Sequence, residues 1–139
     1  FMSYAYACAT GAIKAVVAIA GALDTDFKCS TSKNFAVLSI HGTSDEVIKY
    51  NGGTHAGHTY TSALETVALF ASHNKCSANV LAAVRTFDFD PRITGSETRV
   101  TVFEKCLAPV VQWDISRGAH SPTYPKNFAK LVTSFLKNS

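Results

Sequence analysis

The sequence lacks the features that are typical of membrane, repeat, low-complexity and nucleic-acid-binding proteins. No apolar run approaches the roughly 18 residues of a membrane span, and no segment is repeated or low in complexity. The excess of positive charge is mild, since the formal net charge is +3, and the lysines are scattered instead of forming a basic block. We therefore expect neither a membrane nor a nucleic-acid partner.

What is present is enough apolar material for a folded domain. Of the 139 residues, 47% are hydrophobic and 17% are charged, so we expect the chain to bury a core. The first residues start in the middle of a helical pattern, with no initiator Met at position 1 and no capping residue ahead of the helical stretch. We therefore expect residues 1–139 to be a single partial domain, cut from a longer protein.

The four cysteines have spacings that match no zinc-binding pattern. They form either two disulfide bonds in a secreted protein or four buried thiols in a cytosolic one, and we favour the disulfides. Cys8 ends a predicted helix, and Cys29 follows the next strand. Cys76 also ends a helix, and Cys106 ends a strand. We therefore expect the pairs Cys8–Cys29 and Cys76–Cys106, and a secreted protein.

Several stretches have the patterns of strands. Lys14–Gly21 and Phe35–Gly42 are short, continuous apolar runs, which are typical of strands buried on both faces in a parallel sheet. Thr98–Cys106 and Val110–Ser116 predict two strands that pair as a hairpin. Residues 79–89 suit either a helix or a strand.

Three stretches predict helices that alternate with these strands: residues 2–9, His58–Asn74, and a C-terminal stretch that begins at Pro125. The apolar face of the second helix would comprise Leu64, Val67, Ala68 and Ala71, and that of the third Phe128, Leu131, Val132 and Phe135. The alternation indicates an α/β fold, with a mostly parallel sheet flanked by helices.

Two ionisable residues follow two of the predicted strands. Asp45 lies just after Phe35–Gly42, and His120 lies just after Val110–Ser116. In open α/β sheets, functional groups gather beyond the carboxyl ends of the strands, and Asp before His is the order of an α/β-hydrolase triad. The alternative is that Asp45 forms a turn and His120 is an exposed loop residue.

A nucleophile for such a triad is missing from the chain. No Gly-x-Ser-x-Gly elbow occurs, and the nearest match, Gly42-Thr43-Ser44-Asp45, lacks the second glycine. Ser3 lies within a helical pattern instead of a sharp turn after a strand.

The segment HGTSDEVIKYNGG, residues 41–53, strongly resembles a segment of a secreted esterase family. That family includes polyhydroxybutyrate depolymerase-like enzymes, feruloyl esterases and acetylxylan esterases. FMSYAYAC resembles the family's helix after its Ser-Asn-Gly-Gly elbow, KAVVAIAGAL its next strand, and HNKC its Asn-x-Cys helix end. The chain departs from the family where SRGAH replaces Gly-Gly-Gly-His and SPTYP replaces Trp-Pro-Gly.

The resemblance implies the C-terminal half of an α/β-hydrolase fold, with Asp45 as the triad acid and His120 as the triad base. The serine would lie about four residues before Phe1, and the oxyanion hole would also lie upstream. The implied partners are an ester substrate, either a plant cell-wall ester or a polyester, and the N-terminal half that carries the nucleophile. No metal or organic cofactor is implied, and the 139 residues alone should be inactive.

Other residues give weaker signals. Tyr124 either lines an acyl or sugar pocket or forms a rigid corner with Pro125. His55 and His58 have no third partner for a metal, so we expect them at the surface, and we expect His41 to be a structural, hydrogen-bonded ring. A rival function of another class is a non-catalytic binding or accessory protein that keeps the hydrolase fold without the nucleophile.

Overall fold

Helices and strands alternate along the chain in the computed structural model, which describes residues 1–77 and 80–139. The helices are α1 (Met2–Thr10), α2 (Ala63–His73) and α3 (Phe128–Lys137). The strands are β1 (Ala15–Ile19), β2 (Ala36–Gly42), β3 (Gly53–His55), β4 (His58–Tyr60), β5 (Val80–Phe87), β6 (Thr98–Phe103) and β7 (Val110–Ile115). The predicted α/β class is confirmed.

Five strands form the main sheet, in the order β1-β2-β7-β6-β5. Strands β1, β2 and β7 are parallel, whereas β6 is antiparallel to both β7 and β5. The predicted hairpin of β6 and β7 is confirmed. The sheet is therefore mixed, with its parallel half at β1, β2 and β7.

Alternate residues of each strand point to opposite faces of the sheet. Helices α1 and α2 cover one face, and α3 covers the other. In β1, Val16 and Ala18 contribute to a core cluster that also contains residues of α1 and α2. Val17 and Ile19 pack against a second cluster, which α3 covers with Phe135. This arrangement explains why the strands read as continuous apolar runs, because both faces are buried.

Helix α2 starts later than the sequence predicted and presents a different face. Residues 58–60 form β4, which pairs with β3. The helix starts after Ser62, whose hydroxyl accepts the Glu65 N–H at 3.1 Å while Glu65 accepts the Ser62 N–H at 2.8 Å. This capping box fixes the start of the helix.

The predicted apolar face of α2 was partly wrong. Leu64 is 54% exposed, and Ala68 is also exposed. The buried residues of α2 are Ala63, Thr66, Val67, Phe70 and Ala71. The shift follows from Phe70, which packs against Tyr4 and Phe35 and turns the helix toward α1.

The ambiguous stretch at residues 79–89 contains a strand, β5, although Asn79 lies outside the described residues. The local sequence suits a helix or a strand equally, and the antiparallel pairing with β6 stabilises the strand. Helix α3 begins at Phe128, three residues after the predicted start, and Phe128, Leu131 and Phe135 pack on the second core cluster.

Two disulfide bonds link the predicted cysteines. Cys8 pairs with Cys29, and Cys76 pairs with Cys106. The first ties α1 to the loop after β1, and the second ties the end of α2 to the segment after β6. Among the described residues, no helix has the length and apolar character that a membrane crossing requires.

Candidate active site

The candidate site is built where two parallel neighbours, β2 and β7, end at the same edge of the sheet. Their register places Gly42 beside Ile115, so both chains leave the sheet side by side. The loop after β2 carries Asp45, and the loop after β7 carries His120. The parallel pairing therefore brings together two residues that are 75 positions apart.

Asp45 and His120 form a hydrogen bond. The Oδ2 atom of Asp45 lies 2.9 Å from Nδ1 of His120. The Asp45 side chain is 0% exposed, whereas the His120 side chain is 38% exposed. A carboxylate accepts, so we assign the proton of the neutral ring to Nδ1, which leaves a lone pair on Nε2. The predicted contact is confirmed, and the catalytic roles of both residues remain predictions.

The loop itself fixes the orientation of the Asp45 carboxylate. Its Oδ1 atom accepts the backbone N–H groups of Val47 and Ile48, both at 2.9 Å. The Asp45 N–H donates to the carbonyl of Gly42 at 3.2 Å. With Oδ1 held by these two amides, Oδ2 faces His120.

A second imidazole lies against the same carboxylate. Nε2 of His41 is 2.8 Å from the Ile48 carbonyl and 3.3 Å from Oδ2 of Asp45. The ring is buried, as predicted, and its Nδ1 atom has no hydrogen-bond partner among the described residues. The sequence predicted a hydrogen-bonded ring at His41 but not its contact with Asp45.

Direct backbone contacts join the two loops. Ser44 donates its N–H to the Gly118 carbonyl at 2.9 Å, and Thr43 donates to the Ile115 carbonyl at 2.9 Å. The Arg117 N–H in turn donates to the Thr43 hydroxyl at 2.9 Å. These bonds hold the acid loop and the histidine loop as one unit.

A third segment, which contains Asp90 and Arg92, also supports the histidine loop. Asp90 accepts the Thr123 N–H at 3.0 Å and the Arg92 guanidinium at 2.8 Å, and Arg92 also donates to the Ser121 carbonyl at 3.1 Å. The hydrogen bond from Arg92 lowers the pKa of Asp90 to about 2. Sequence reasoning missed this support. The DFDPR turn, residues 88–92, was the available signal.

A buried polar network lies next to the acid loop. Asp114, on β7, accepts the Tyr50 hydroxyl at 2.8 Å and the Gln112 amide at 2.9 Å. Arg99 approaches the same carboxylate at 3.4 Å. Burial, followed by the bond to Asp114, raises the pKa of Tyr50 well above its usual range, so the phenol stays a donor. This network anchors the loop that follows Asp45, and it too was missed.

Tyr124 is held in place and presents an aromatic surface. It is 46% exposed and stacks on Phe128 at a centroid distance of 4.4 Å. The edge of Phe89 meets it at 6.2 Å. The fixed ring suits a binding surface, and the proposed contact with substrate remains a prediction.

The two remaining candidate histidines belong to the β3–β4 hairpin. His55 and His58 face each other across the β3–β4 hairpin, and both are exposed. In the part of the chain that the structure describes, no group of three or more His, Cys, Asp or Glu side chains is arranged to hold a metal ion.

A cavity of about 360 Å³ opens beside Asp45, between the acid loop and Tyr50. A larger groove, of about 760 Å³, lies under α3 and against Trp113, on the opposite side of the sheet from His41. The smaller cavity adjoins the candidate site.

Comparison with models of protein families gives no match, and comparison with curated proteins gives none either.

Proposed function

We propose that this chain supplies the acid and the base of a Ser-His-Asp triad in a carboxylic ester hydrolase. In this proposal the chain is the C-terminal half of an α/β-hydrolase domain, and the serine lies on a preceding N-terminal half. One observation carries the proposal. The buried carboxylate of Asp45, in the loop after β2, is hydrogen-bonded to Nδ1 of the half-exposed His120, in the loop after the neighbouring parallel strand β7.

The proposed reaction follows from that pairing. As the serine oxygen attacks the ester carbonyl carbon, its proton passes to Nε2 of His120. The bond to the alcohol oxygen then breaks, and His120 returns the proton to the leaving alcohol. Water attacks the acyl-enzyme in the same way and releases the acid. Asp45 holds the Nδ1–H tautomer and stabilises the imidazolium, and no metal or organic cofactor takes part.

The substrate and the location are part of the same proposal. Plant cell-wall feruloyl or acetyl esters and polyesters are the proposed substrates, and the exposed ring of Tyr124 is proposed to contact them. The two disulfides favour an oxidising compartment, which supports secretion.

The test is to express residues 1–139 alone and together with the natural polypeptide that precedes Phe1. Methyl ferulate, an aryl acetate and a hydroxybutyrate oligomer would serve as substrates. We expect background rates from the chain alone and turnover from the combination. A fluorophosphonate probe should label a serine of the N-terminal part.

The rival function gives the opposite result. A reading frame that starts at Met2, or a combined protein that neither turns over esters nor reacts with the probe, would contradict the proposal. Such a protein would instead be a binding or accessory protein with this fold. Hydrolysis by the 139 residues alone would also contradict it, because a nucleophile would then lie within them.

A further inference from the structure

We propose that His41 is a positioning residue that holds the Asp45 carboxylate toward His120. A catalytic purpose for this positioning rests on the proposed function, but the positioning itself does not. His41 lies near the end of β2, four residues before Asp45, and its side chain is 0% exposed.

The hydrogen bond of the His41 ring fixes its tautomer. Nε2 lies 2.8 Å from the carbonyl oxygen of Ile48, and a carbonyl oxygen only accepts. The proton of the neutral ring is therefore on Nε2, and the bare Nδ1 is the atom without a partner among the described residues. The bond to the Ile48 carbonyl is shorter than the 3.3 Å approach of Nε2 to Asp45.

That bond ends on the residue that orients Asp45. The Ile48 carbonyl accepts from His41, and the Ile48 N–H donates to Oδ1 of Asp45 at 2.9 Å. His41 thus fixes Ile48 from one side, while Ile48 fixes the carboxylate from the other. A rigid strand end is in this way coupled to a carboxylate in a loop.

The same nitrogen also acts on the carboxylate directly. Nε2 of His41 is 3.3 Å from Oδ2, the oxygen that accepts from His120. The backbone N–H groups of Val47 and Ile48 hold Oδ1, and the His41 N–H lies near Oδ2. Each carboxylate oxygen therefore has an N–H group close to it. A rotation of the carboxylate away from His120 would give up these interactions together.

A purely structural histidine would fill space beside Tyr50, whose ring lies edge-on at 5.7 Å. Leucine fills a similar volume, but it has no donor for the Ile48 carbonyl. Glutamine carries an N–H at about the position of Nε2. The pair His41→Leu and His41→Gln therefore separates packing from hydrogen bonding.

The first measurement uses the 139 residues with His41 unaltered and with Val17→Pro. This change lies at the edge of β1 that pairs with no described strand, and it should keep the chain monomeric. Long-range ¹H–¹⁵N NMR spectra of the imidazole rings should show His41 protonated on Nε2 and bare on Nδ1. They should show His120 with a slowly exchanging proton on Nδ1. A proton on Nδ1 of His41 would overturn the proposal even if no His41 variant folds.

The second measurement compares variants. In His41→Leu, we expect loss of the slowly exchanging His120 Nδ1–H signal and about tenfold faster exchange of the Ile48 amide. His41→Gln should retain both properties. His55→Leu, at an exposed histidine of the β3–β4 hairpin, should change neither.

These readouts need no catalysis, so the two proposals fail separately. A folded His41→Leu variant with an unchanged His120 signal would overturn the role of His41 and leave the esterase proposal standing. The expected spectra together with an inactive combined protein would do the reverse. In an active combined protein, His41→Leu should lower kcat about 100-fold with little change in KM, because a small displacement of the acid is costly.

Discussion

Gly42, the last residue of β2, lies directly against the backbone carbonyl of Gly118, two residues before His120. A Cβ atom on Gly42 would fall inside the contact distance of the Gly118 carbonyl group. Only glycine lets the acid loop and the histidine loop approach this closely. The HG dipeptide at residues 41–42 thus has a physical role, because its glycine admits the second loop.

Gly42→Ala should therefore damage the site and the fold together. We expect a loss of about 1–3 kcal/mol of unfolding free energy from overpacking against backbone atoms that cannot rotate away. The His120 Nδ1–H signal should weaken or vanish. Urea denaturation and NMR would measure these effects. Gly57→Ala is the control, since nothing lies within 4 Å of the added Cβ and the variant bears only the strain of a positive φ. Equal stability of Gly42→Ala and the parent would refute the close contact.

Removing either member of the hydrogen-bonded pair should abolish the proposed catalysis. In the combined protein with its N-terminal half, Asp45→Asn and His120→Ala should each lower kcat by about 10⁴-fold. The double variant should lose little more than either single one, because the two residues act as a unit. Steady-state ester hydrolysis is the measurement. Asp26→Asn and His58→Ala, at exposed positions, are the matched controls. Full activity in Asp45→Asn would exclude it as the triad acid.

The support from Asp90 makes stability depend on pH in a defined window. The folded pKa of Asp90, about 2, lies below its ordinary value of 3.8, so the carboxylate stabilises the fold above pH 3.8. This stabilisation is lost as the pH falls toward 2. Asp90→Asn should cost about 1–2 kcal/mol at neutral pH, allowing for solvent around the exposed Arg92.

Urea denaturation of Asp90→Asn and the parent at several pH values would test this window. The difference between them should be constant from pH 7 to pH 5 and should shrink between pH 4 and pH 2. Asp88→Asn removes a nearby exposed charge and should show no such window. A difference that persists at pH 2 would mean that Asp90 acts by its shape and not by its charge.

Strand β1 has one edge paired with β2, and no strand pairs with its other edge among the described residues. The Ala36 N–H donates to the Lys14 carbonyl, and the Ala20 N–H donates to the Ile40 carbonyl. In β1, the backbone N–H and C=O groups of even-numbered residues therefore point toward β2. The N–H of Val17 therefore points to the free edge, where another strand can add.

The isolated chain should associate through this edge. We expect dimers or larger species by light scattering at micromolar concentration. Val17→Pro should suppress them, because proline removes an N–H from the free edge alone. Val16→Pro, one residue away, should instead lower the stability, since its N–H faces β2. A parent chain that stays monomeric at all concentrations would contradict the open edge.

The two disulfides should differ in the order of their reduction. In the first bond Cys8 is 1% exposed and Cys29 is half-buried, whereas in the second both Cys76 and Cys106 are half-buried. A mild reductant should therefore open Cys76–Cys106 first, which alkylation and mass spectrometry would show. Each bond closes a loop, with separations of 21 and 30 residues, and its removal should cost about 3–4 kcal/mol by chain entropy. Reduction of Cys8–Cys29 first would contradict the order.

The parts of the fold that could be read from the sequence were set by local patterns. The apolar runs of β1 and β2 were of this kind, and so were the positions of Asp45 and His120 after strands and of the cysteines at or after the ends of elements. The start of α2 also has a local signal, because Ser62 and Glu65 form a capping box. The prediction relied instead on apolar periodicity, which favoured an earlier start.

Other features depended on residues far apart in sequence. Strand β5 is defined by its pairing with β6, and Phe70 is turned inward by Tyr4 and Phe35. The bonds from the Thr123 N–H to Asp90 and from the Tyr50 hydroxyl to Asp114 join segments 33 and 64 residues apart. No periodicity records such contacts, so the supports around the site were missed although its two central residues were found.

The distance along the chain between the acid and the base has a consequence for the order of folding. The hydrogen bonds that orient the Asp45 carboxylate within its own loop come from residues 41–48, so that half of the site depends only on contacts close in sequence. His120 lies 75 residues further along the chain, after β5, β6 and β7. Closing so long a stretch is slow relative to local turns. The hydrogen bond between Asp45 and His120 should thus be among the last to form. In a refolding experiment, the appearance of the His120 Nδ1–H signal would therefore report when folding of the domain is complete.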